Sequence, residues 1–252
     1  MKRGLSLYAA VAFAFLYVPL FVLVVFSFNQ SRFTIWTGFS LDWYRAVFAN
    51  TEMAEATWNS VVIAVTSSAL SAVIGTLAAY GIWKRRSPLL TGSLYLSLVT
   101  PEIVTGISLL AFFQLVFRVV HLTLGLYTVV LAHVAFSIAY VAIVVTARLR
   151  TLDPSLEEAA MDLGATPWRA FWRVTLPALA PGIIAAALLA LIVSFDDYVI
   201  TSLVAGVDSE TLPMVIYAIA RRGANPTINA VSTLIVVGFG ALIIISERVR
   251  QR

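Results

Sequence analysis

The hydrophobic residues of this chain fall into six long stretches that are almost free of charge. These stretches hold 174 of the 252 residues and only three charged side chains, Glu102, Asp196 and Asp197. They run over residues 4–31, 56–83, 87–117, 119–147, 174–207 and 223–246. Each is longer than the roughly 20 apolar residues that a helix needs to cross a bilayer. Because backbone groups in lipid must be satisfied within the segment, each stretch predicts a transmembrane helix.

The pattern predicts an all-α integral membrane protein with six transmembrane helices in one domain over residues 1–252. The predicted spans are 5–28, 58–83, 91–117, 124–147, 182–204 and 226–246. None of them shows the alternation over about ten residues that is typical of a membrane barrel strand. The first follows Lys2 and Arg3, as in a signal peptide, but its apolar core exceeds the roughly 7–15 residues of such a signal. We therefore interpret it as a retained span.

Composition supports a membrane protein and excludes several other classes. Charged residues make up 12% of the chain and hydrophobic residues 60%, and the mean hydropathy is +0.93. A soluble domain carries about 25% charged residues, so an ordinary soluble enzyme or a disordered chain is excluded. The chain has no cysteine, which excludes disulfides, thiolate catalysis and zinc–thiolate sites.

The distribution of positive charge predicts the orientation of the chain. With six spans, both termini lie on one side, and 12 Lys and Arg residues fall on that side against 5 on the other. The positive-inside rule therefore places both termini in the cytoplasm. The net charge of +4 is explained by this topology, so we expect contact with membrane lipid and none with nucleic acid.

Two longer loops are predicted outside the cytoplasm, over residues 29–57 and 205–225. The first contains Phe33, Trp36, Phe39, Trp43, Tyr44 and Phe48. Aromatic side chains of this kind form belts at membrane interfaces, and they also form docking surfaces for partners. Both interpretations stay open at this point, with the belt favoured by composition.

The predicted cytoplasmic loop, residues 148–178, contains signals for two short helices. Asp153-Pro154 is typical of a helix start, with Asp as the N-cap and Pro at the first helical position. Gly164 is typical of the residue that ends such a helix. Thr166-Pro167 starts a second short helix by the same logic, and Leu176-Pro177 leads to the fifth span.

The first of these short helices has one apolar face. Leu156, Ala159, Ala160 and Leu163 are spaced at i, i+3, i+4 and i+7. A helix of this kind can dock in the groove of a partner or lie on the lipid surface.

The same loop carries a longer motif. The chain has Glu158-Ala159-Ala160, then Gly164, Val174 and Leu176-Pro177. This spacing resembles the EAA signature of ABC-importer permeases, E-A-A-x3-G-x9-I-x-L-P, with Val174 in place of Ile. The resemblance implies the type I ABC importer permease fold and a coupling helix that fits a cleft on a cytoplasmic ATPase. It also implies an ATPase-coupling role for Glu158, Ala159, Ala160, Gly164, Leu176 and Pro177.

Further segments resemble polyamine (spermidine/putrescine) permeases of the same family. They are Ser27-Phe28-Asn29, Trp36-x-Gly38-Phe39, Trp43-Tyr44, Pro101-Glu102-Ile103-Val104, Ser194-Phe195-Asp196-Asp197, Leu212-Pro213-x-x-Ile216-Tyr217 and Pro226-x-x-Asn229-Ala230. The family often has Asp where Glu102 stands, which keeps the charge and lengthens the side chain. The resemblance implies polyamine import across a bacterial inner membrane. It also implies four partners in addition to lipid: a second permease subunit, two cytoplasmic ATPase subunits and a periplasmic substrate-binding protein.

The chain carries no sequence motif for catalysis of its own. The phosphate loop of an ATPase needs a lysine in G-x-x-x-x-G-K-[ST], and neither Lys2 nor Lys84 stands in that pattern. We therefore expect no enzyme activity, metal or cofactor in this chain, and ATP and Mg²⁺ bound by the partner ATPase. Of the two histidines, His133 inside the fourth span is either a proton relay or, more in keeping with its surroundings, a hydrogen-bonded packing residue.

Carboxylates at membrane depth are costly and mark functional sites. Glu102 and Asp196 differ in predicted depth by only about 5 Å, so they can share one cavity, and Pro101 allows a kink beside it. On a continuous helix, Asp197 shares a small and polar face with Ser194, whereas Asp196 shares an apolar face. We therefore expect Glu102, Asp197, Asp196 and Ser194 along the substrate path. Of the two aspartates we favour Asp197 for substrate, because Asp196 can instead be structural or paired across a subunit interface.

Since no Lys or Arg lies within a predicted span, this acidic path suits a cationic substrate. The acids can also hold helices together or contact a partner permease. Two alternatives to polyamine import stay open. One is an ABC permease for another small cationic or organic solute. The other is a stand-alone transporter driven by protons through Glu102, Asp197 and His133, although such transporters often show inverted repeats and none is convincing in this chain.

Overall fold

The computed structural model describes residues 2–33, 35–85, 87–223 and 225–250, with side chains for all of these except 2, 3 and 242–250. Arg86 and Arg252, which contribute to the charge count that predicts topology, lie outside these residues. The helices are α1 Lys2–Phe26, α2 Asp42–Ala49, α3 Thr51–Arg85, α4 Pro88–Val99, α5 Glu102–Val120, α6 Leu126–Leu149, α7 Ser155–Asp162, α8 Pro167–Ala170, α9 Leu176–Asp196, α10 Val199–Val204, α11 Leu212–Arg221 and α12 Pro226–Arg250. A π-helical turn, Phe171–Thr175, joins α8 to α9.

Each predicted span coincides largely with one helix or with two consecutive helices. Among the described residues, five helical segments are long and apolar enough to cross a membrane. They are Gly4–Phe26, Thr51–Arg85, Glu102–Val120, Leu126–Leu149 and Pro167–Asp196. The sixth predicted span, 226–246, lies within α12. The all-α prediction is therefore confirmed.

The chain divides into two compact units. One unit holds Met1–Glu55 and Val215–Arg252, and in it α12 packs against α1 and α2. Its aromatic loop is organised around Asn29, whose amide nitrogen donates to the carbonyls of Phe33 and Ile35. The indole nitrogen of Trp43 donates to the Asn29 carbonyl at 2.7 Å, so this part of the loop is an ordered structure.

The second unit, Ala56–Met214, contains the helices that carry the carboxylates and the EAA motif. Its tightest packing joins α6 to α9, where Ala142, Ala186 and Ala190 are fully buried. Small side chains let membrane helices approach closely, and van der Waals packing then holds them together. A second core joins α3, α5, α6 and α10 around Ile63, Phe113, Val129, Ala132, Ile200 and Val204.

The predicted third and fifth spans are each interrupted where one continuous helix was expected. The third breaks between α4 and α5, because Pro101 has no N–H and disfavours the helical conformation of Thr100, whose ψ is 126°. The fifth breaks at Asp197, whose ψ is also 126°. No Pro or Gly stands at this second break, so the sequence carries no local marker for it.

The second short helix predicted in the loop 148–178 is not a separate element. After α8, the chain continues through the π-helical turn into α9, so one helix runs over Pro167–Asp196 rather than starting near residue 182. Pro177 explains the turn, because its ring would clash with the carbonyl four residues earlier in a regular α-helix. The wider π-helical turn relieves that clash.

Candidate functional site

A cleft of about 380 Å³ is lined by all three acidic residues of the six apolar stretches. It lies where α5 begins, where α9 ends and where α10 begins, with α4 and α6 completing its wall. Glu102, Asp196 and Asp197 line it, together with the aromatic side chains of Phe136, Tyr140 and Tyr198. Of the described residues that line this cleft, none is Lys or Arg. The expectation that Glu102 and Asp196 share one cavity therefore agrees with the geometry.

The carboxylates of Glu102 and Asp196 are accessible from the cleft, since both residues are exposed. Glu102 stands in the first turn of α5, where the positive end of the helix dipole favours a negative charge. Asp196 is the last residue of α9. Two accessible carboxylates beside aromatic rings form a surface that attracts ammonium groups.

The carboxylate of Asp197, unlike those of Glu102 and Asp196, is buried and hydrogen-bonded within the protein. Its side chain is only 6% exposed. One carboxylate oxygen accepts from the Thr201 backbone N–H at 2.8 Å and from the Thr201 hydroxyl at 2.7 Å. The other oxygen accepts from the Ile200 N–H at 3.4 Å. Asp197 thus caps the start of α10, which would otherwise leave buried N–H groups without partners.

His133 completes this network from α6 and is 1% exposed. Its Nε2 lies 2.9 Å from the Thr201 hydroxyl and 3.4 Å from the Asp197 carboxylate. Its Nδ1 lies 2.7 Å from the Ser194 hydroxyl. A neutral imidazole with its proton on Nε2 satisfies all of these contacts, because Ser194 can then donate to Nδ1. The interpretation of His133 as a packing residue agrees with this geometry.

The structure corrects the expected placement of Ser194, whereas Asp197 lines the cleft as expected. Ser194 is buried against α3 and α6, where it contacts the hydroxyl of Ser67 at 2.9 Å, and it does not line the cleft. The small face of α9 that carries Ser194 packs on neighbouring helices instead of facing water. Asp197 borders the cleft, but its oxygens are engaged by α10 and His133. Asp196, which the sequence favoured less than Asp197 for substrate, is the more accessible of the two aspartates.

The EAA segment forms the short helix that its sequence predicts. The Asp153 carboxylate accepts from the Ser155 N–H at 3.0 Å, and this hydrogen bond lowers the pKa of Asp153. At the other end, Gly164 has φ +89°, a conformation that favours glycine, and the Ala165 N–H donates to the Ala160 carbonyl. Leu176 and Pro177 lie in the first turn of α9.

The outer face of α7 is exposed, as expected for a docking helix. Leu156, Glu158 and Ala159 are exposed, Ala160 is half-buried, and Leu163 is 90% exposed. Trp168 and Trp172 extend the exposed apolar surface beyond α7. In the described structure, exposed apolar side chains and the exposed Glu158 therefore lie on the same short helix and the turn that follows it.

The inner face of α7 holds a residue that the sequence reasoning missed. Glu157 is buried, and its Oε1 lies 2.8 Å from Lys84 Nζ and accepts from the Tyr80 hydroxyl at 2.8 Å. Its Oε2 accepts from the Thr175 hydroxyl at 3.1 Å. Consecutive glutamates on an amphipathic helix point about 100° apart, so the pair Glu157-Glu158 was a signal that one of them faces inward.

The surroundings of Glu157 act on its pKa in opposite directions. Burial would raise the pKa of this carboxyl. Hydrogen bonds from Lys84 and Tyr80, the charge of Lys84 and the hydrogen bond from Thr175 together hold the pKa below its ordinary value. Glu157 is therefore held as a carboxylate.

This chain is similar to known membrane components of transport systems. Residues 71–251 match the family described as "Binding-protein-dependent transport system inner membrane component". The chain is 42% identical to the putrescine transport system permease protein PotI of Escherichia coli K12, over 95% of this chain and 90% of that protein. It is 35% identical to the spermidine/putrescine transport system permease protein PotC of Haemophilus influenzae Rd, over 96% and 94%.

The fold resembles that of a solved transporter chain. A bacterial ABC transporter involved in the import of the acidic polysaccharide alginate superposes with a TM-score of 0.78 and 19% identity, over 100% of this chain and 96% of that one. At this identity the likeness concerns the fold alone. The predicted permease fold of ABC importers is confirmed by it.

Proposed function

Because this chain belongs to the family of binding-protein-dependent transport system inner membrane components, we propose that it is the permease subunit that carries polyamines through an ATP-driven importer. Membership in this family makes it a multi-pass membrane protein and a transporter rather than an enzyme. Spermidine and putrescine are the proposed substrates, supported by the names of the relatives PotI and PotC.

The observation that carries this proposal is the acidic and aromatic cleft. Each amine of a polyamine is protonated near neutral pH and can pair with a carboxylate or lie over an aromatic ring. Glu102 and Asp196 supply accessible carboxylates, and Phe136, Tyr140 and Tyr198 supply rings. An anionic substrate such as an acidic sugar would be repelled by the same lining. We assign Glu102 and Asp196 to the substrate path as its accessible acids. Asp197 belongs to the wall, where α10 and His133 engage its carboxylate, and Ser194 lies behind that wall.

The remaining parts of the importer are proposed to come from other chains. The exposed face of α7 supports docking to a cytoplasmic ATPase through Glu158, Ala159, Ala160 and Gly164. Leu176 and Pro177, in the first turn of α9, complete the motif of the same coupling loop. ATP and Mg²⁺ would be bound by two such ATPase subunits. A second permease and a periplasmic substrate-binding protein would complete the assembly. This arrangement puts both termini in the cytoplasm and the chain in the bacterial inner membrane, as the excess of Lys and Arg also indicates.

Uptake of labelled putrescine and spermidine into cells that express the complete importer tests the proposal. We expect ATP-dependent uptake with the wild-type chain. Glu102→Gln and Asp196→Asn should each reduce uptake roughly tenfold or more at low substrate, because a charge-assisted contact with an ammonium group is lost. Glu52→Gln, an exposed acid at the start of α3, is the matched control and should leave uptake unchanged.

Two outcomes would contradict the proposal in different ways. Normal uptake by both cleft variants would remove Glu102 and Asp196 from the substrate path. An assembled complex that hydrolyses ATP but takes up no polyamine would leave the permease and discard the substrate. Other small cationic or organic solutes would then be tested with the same complex.

A further inference from the structure

We propose that Glu157 is a positioning residue that joins α7 to the ends of two membrane helices, so that a displacement of α7 moves both. The inference rests on the proposed function, in which α7 receives the motion of an ATPase. It concerns a residue beside the EAA motif that faces away from the docking surface. Its test is whether transport stays linked to ATP hydrolysis when this contact is weakened.

The contacts of Glu157 reach two separate elements. Lys84 and Tyr80 belong to the last two turns of α3, and their Nζ and hydroxyl each lie 2.8 Å from the same carboxylate oxygen. Thr175 belongs to the π-helical turn that starts α9, and its hydroxyl lies 3.1 Å from the other oxygen. One carboxylate therefore ties α7 to α3 and α9 at once.

The contact is sheltered by aromatic rings, which limits the ways in which it can rearrange. Lys84 Nζ lies 5.2 Å from the centre of the Trp83 ring and 5.8 Å from that of Tyr80. The Tyr80 ring in turn lies 4.6 Å from the buried ring of Phe171. The Glu157 side chain is 5% exposed and that of Lys84 is 42% exposed. Water therefore reaches the ammonium group but hardly reaches the carboxylate.

The two helices that meet at Glu157 also meet near the cleft. From Thr175, α9 continues to Asp196, which lines the cleft. From Lys84, α3 runs back to Ser67, whose hydroxyl lies 2.9 Å from that of Ser194 on α9. A rigid element that is held at both ends transmits a displacement along its length, since packed helices deform little. Movement of α7 is thereby carried to the end of α9 that bears Asp196.

The experiment measures the number of polyamine molecules imported per ATP hydrolysed, with the complete complex in liposomes. Glu157→Gln keeps the shape of the side chain and removes its charge. We expect this variant to lower the ratio at least about fivefold, the lower end of typical coupling between sites, while ATP hydrolysis stays within about twofold of wild type. Asp162→Asn, at the exposed last residue of α7, is the matched control for a lost charge on this helix and should leave the ratio unchanged.

Exchanging the charges of Glu157 and Lys84 tests whether their ion pair positions α7. In the double variant Glu157→Lys with Lys84→Glu, the ion pair is restored in the opposite sense, and the hydroxyls of Tyr80 and Thr175 can accept from the new ammonium group. We expect this double variant to recover part of the ratio that Glu157→Lys alone loses. If Glu157→Gln does not assemble, Tyr80→Phe and Thr175→Val each remove one hydroxyl and should still lower the ratio.

The outcomes distinguish this inference from the proposed function. Polyamine import by wild type, with an unchanged ratio in Glu157→Gln or in both hydroxyl variants, would overturn only the positioning role. A wild-type complex that hydrolyses ATP without importing polyamine would overturn the proposed substrate. ATP-dependent changes in amide hydrogen exchange at the start of α9 then replace import as the readout, and they should be lost in Glu157→Gln. A chain that assembles with no ATPase would overturn both.

Discussion

His133 and Asp197 form a buried contact across the break in the fifth span, with Nε2 of the histidine 3.4 Å from a carboxylate oxygen of the aspartate. The contact joins α6 to the cap of α10. It explains how a helix that lies among apolar side chains can stop and restart without Pro or Gly. Asp197 accepts from the N–H groups of Ile200 and Thr201 after the break, and the charge of Asp197 is stabilised by Thr201 and His133.

Asp197→Asn should therefore destabilise the protein more than Asp196→Asn. Asparagine cannot accept all of the hydrogen bonds that the Asp197 carboxylate accepts, so a cost of about 1–3 kcal/mol is expected. Asp196 is exposed, and its replacement should change stability by less than about 0.5 kcal/mol. Thermal unfolding of the two purified variants in detergent makes the comparison. Equal melting temperatures would show that the capping network contributes nothing measurable.

The exposed face of α7 predicts a variant that folds but does not dock. Leu163 is 90% exposed, so Leu163→Glu should cost little stability. If Leu163 inserts into a groove of the ATPase, the same change should weaken ATPase binding about tenfold or more. Glu158→Arg should likewise uncouple uptake while leaving membrane insertion intact.

Co-purification of the ATPase with each variant, followed by uptake, is the measurement. Asp208→Arg, on the loop that follows α10, is a control for an added charge elsewhere. ATPase binding at the wild-type level in both α7 variants would show that this face is not the docking surface.

The buried carboxylate of Glu157 predicts a pH dependence for the anchoring of α7. Burial raises its pKa, but the hydrogen bonds and the Lys84 charge lower it by more, so the folded state binds the proton less tightly than the unfolded chain. The resulting stabilisation is present above the ordinary glutamate pKa of about 4.3 and is lost as the pH falls through the lowered pKa of the folded state.

Hydrogen exchange of the α7 amides between about pH 3 and pH 6 measures this dependence, after correction for the intrinsic effect of pH on exchange. Protection should fall with decreasing pH in the wild type. Glu157→Gln should show weaker protection and little pH dependence. Parallel profiles in the two proteins would indicate that another group controls the anchoring of α7.

A close backbone contact predicts that Gly206 cannot be replaced. A Cβ at this position would collide with the Leu124 carbonyl group, and the Gly206 N–H is held by the Ser209 hydroxyl at 2.8 Å. Gly206→Ala should therefore destabilise the protein by about 1–3 kcal/mol. Gly81→Ala is the matched control, since no neighbouring atom lies within 4 Å of its added Cβ. Alanine there should be neutral or stabilise by up to about 1 kcal/mol. Thermal unfolding should therefore give a lower melting temperature than wild type for Gly206→Ala, and an unchanged or higher one for Gly81→Ala.

Much of this protein was predictable from the sequence, because several signals are local. Long apolar runs predict membrane helices wherever the chain passes through lipid. Asp153-Pro154 and Gly164 mark the two ends of α7, because capping depends on residues within one turn. The common depth of Glu102 and Asp196 also follows from counting residues along helices. The EAA spacing predicted the family for the same reason, since it lies within twenty residues.

Tertiary structure alone decided which acidic side chains face the cleft and which face the protein. Favouring Asp197 over Asp196 for substrate assumed one continuous helix, whereas the helix breaks at Asp197 and its carboxylate caps α10. That break depends on His133 and Thr201, and His133 lies more than 60 residues away in the sequence. Tertiary structure also separates Glu157 from Glu158. The packing of α7 buries Glu157 against Lys84, Tyr80 and Thr175 and leaves Glu158 exposed. Helical periodicity describes one helix at a time, whereas the burial of a charge is decided by the donors that other helices bring to it.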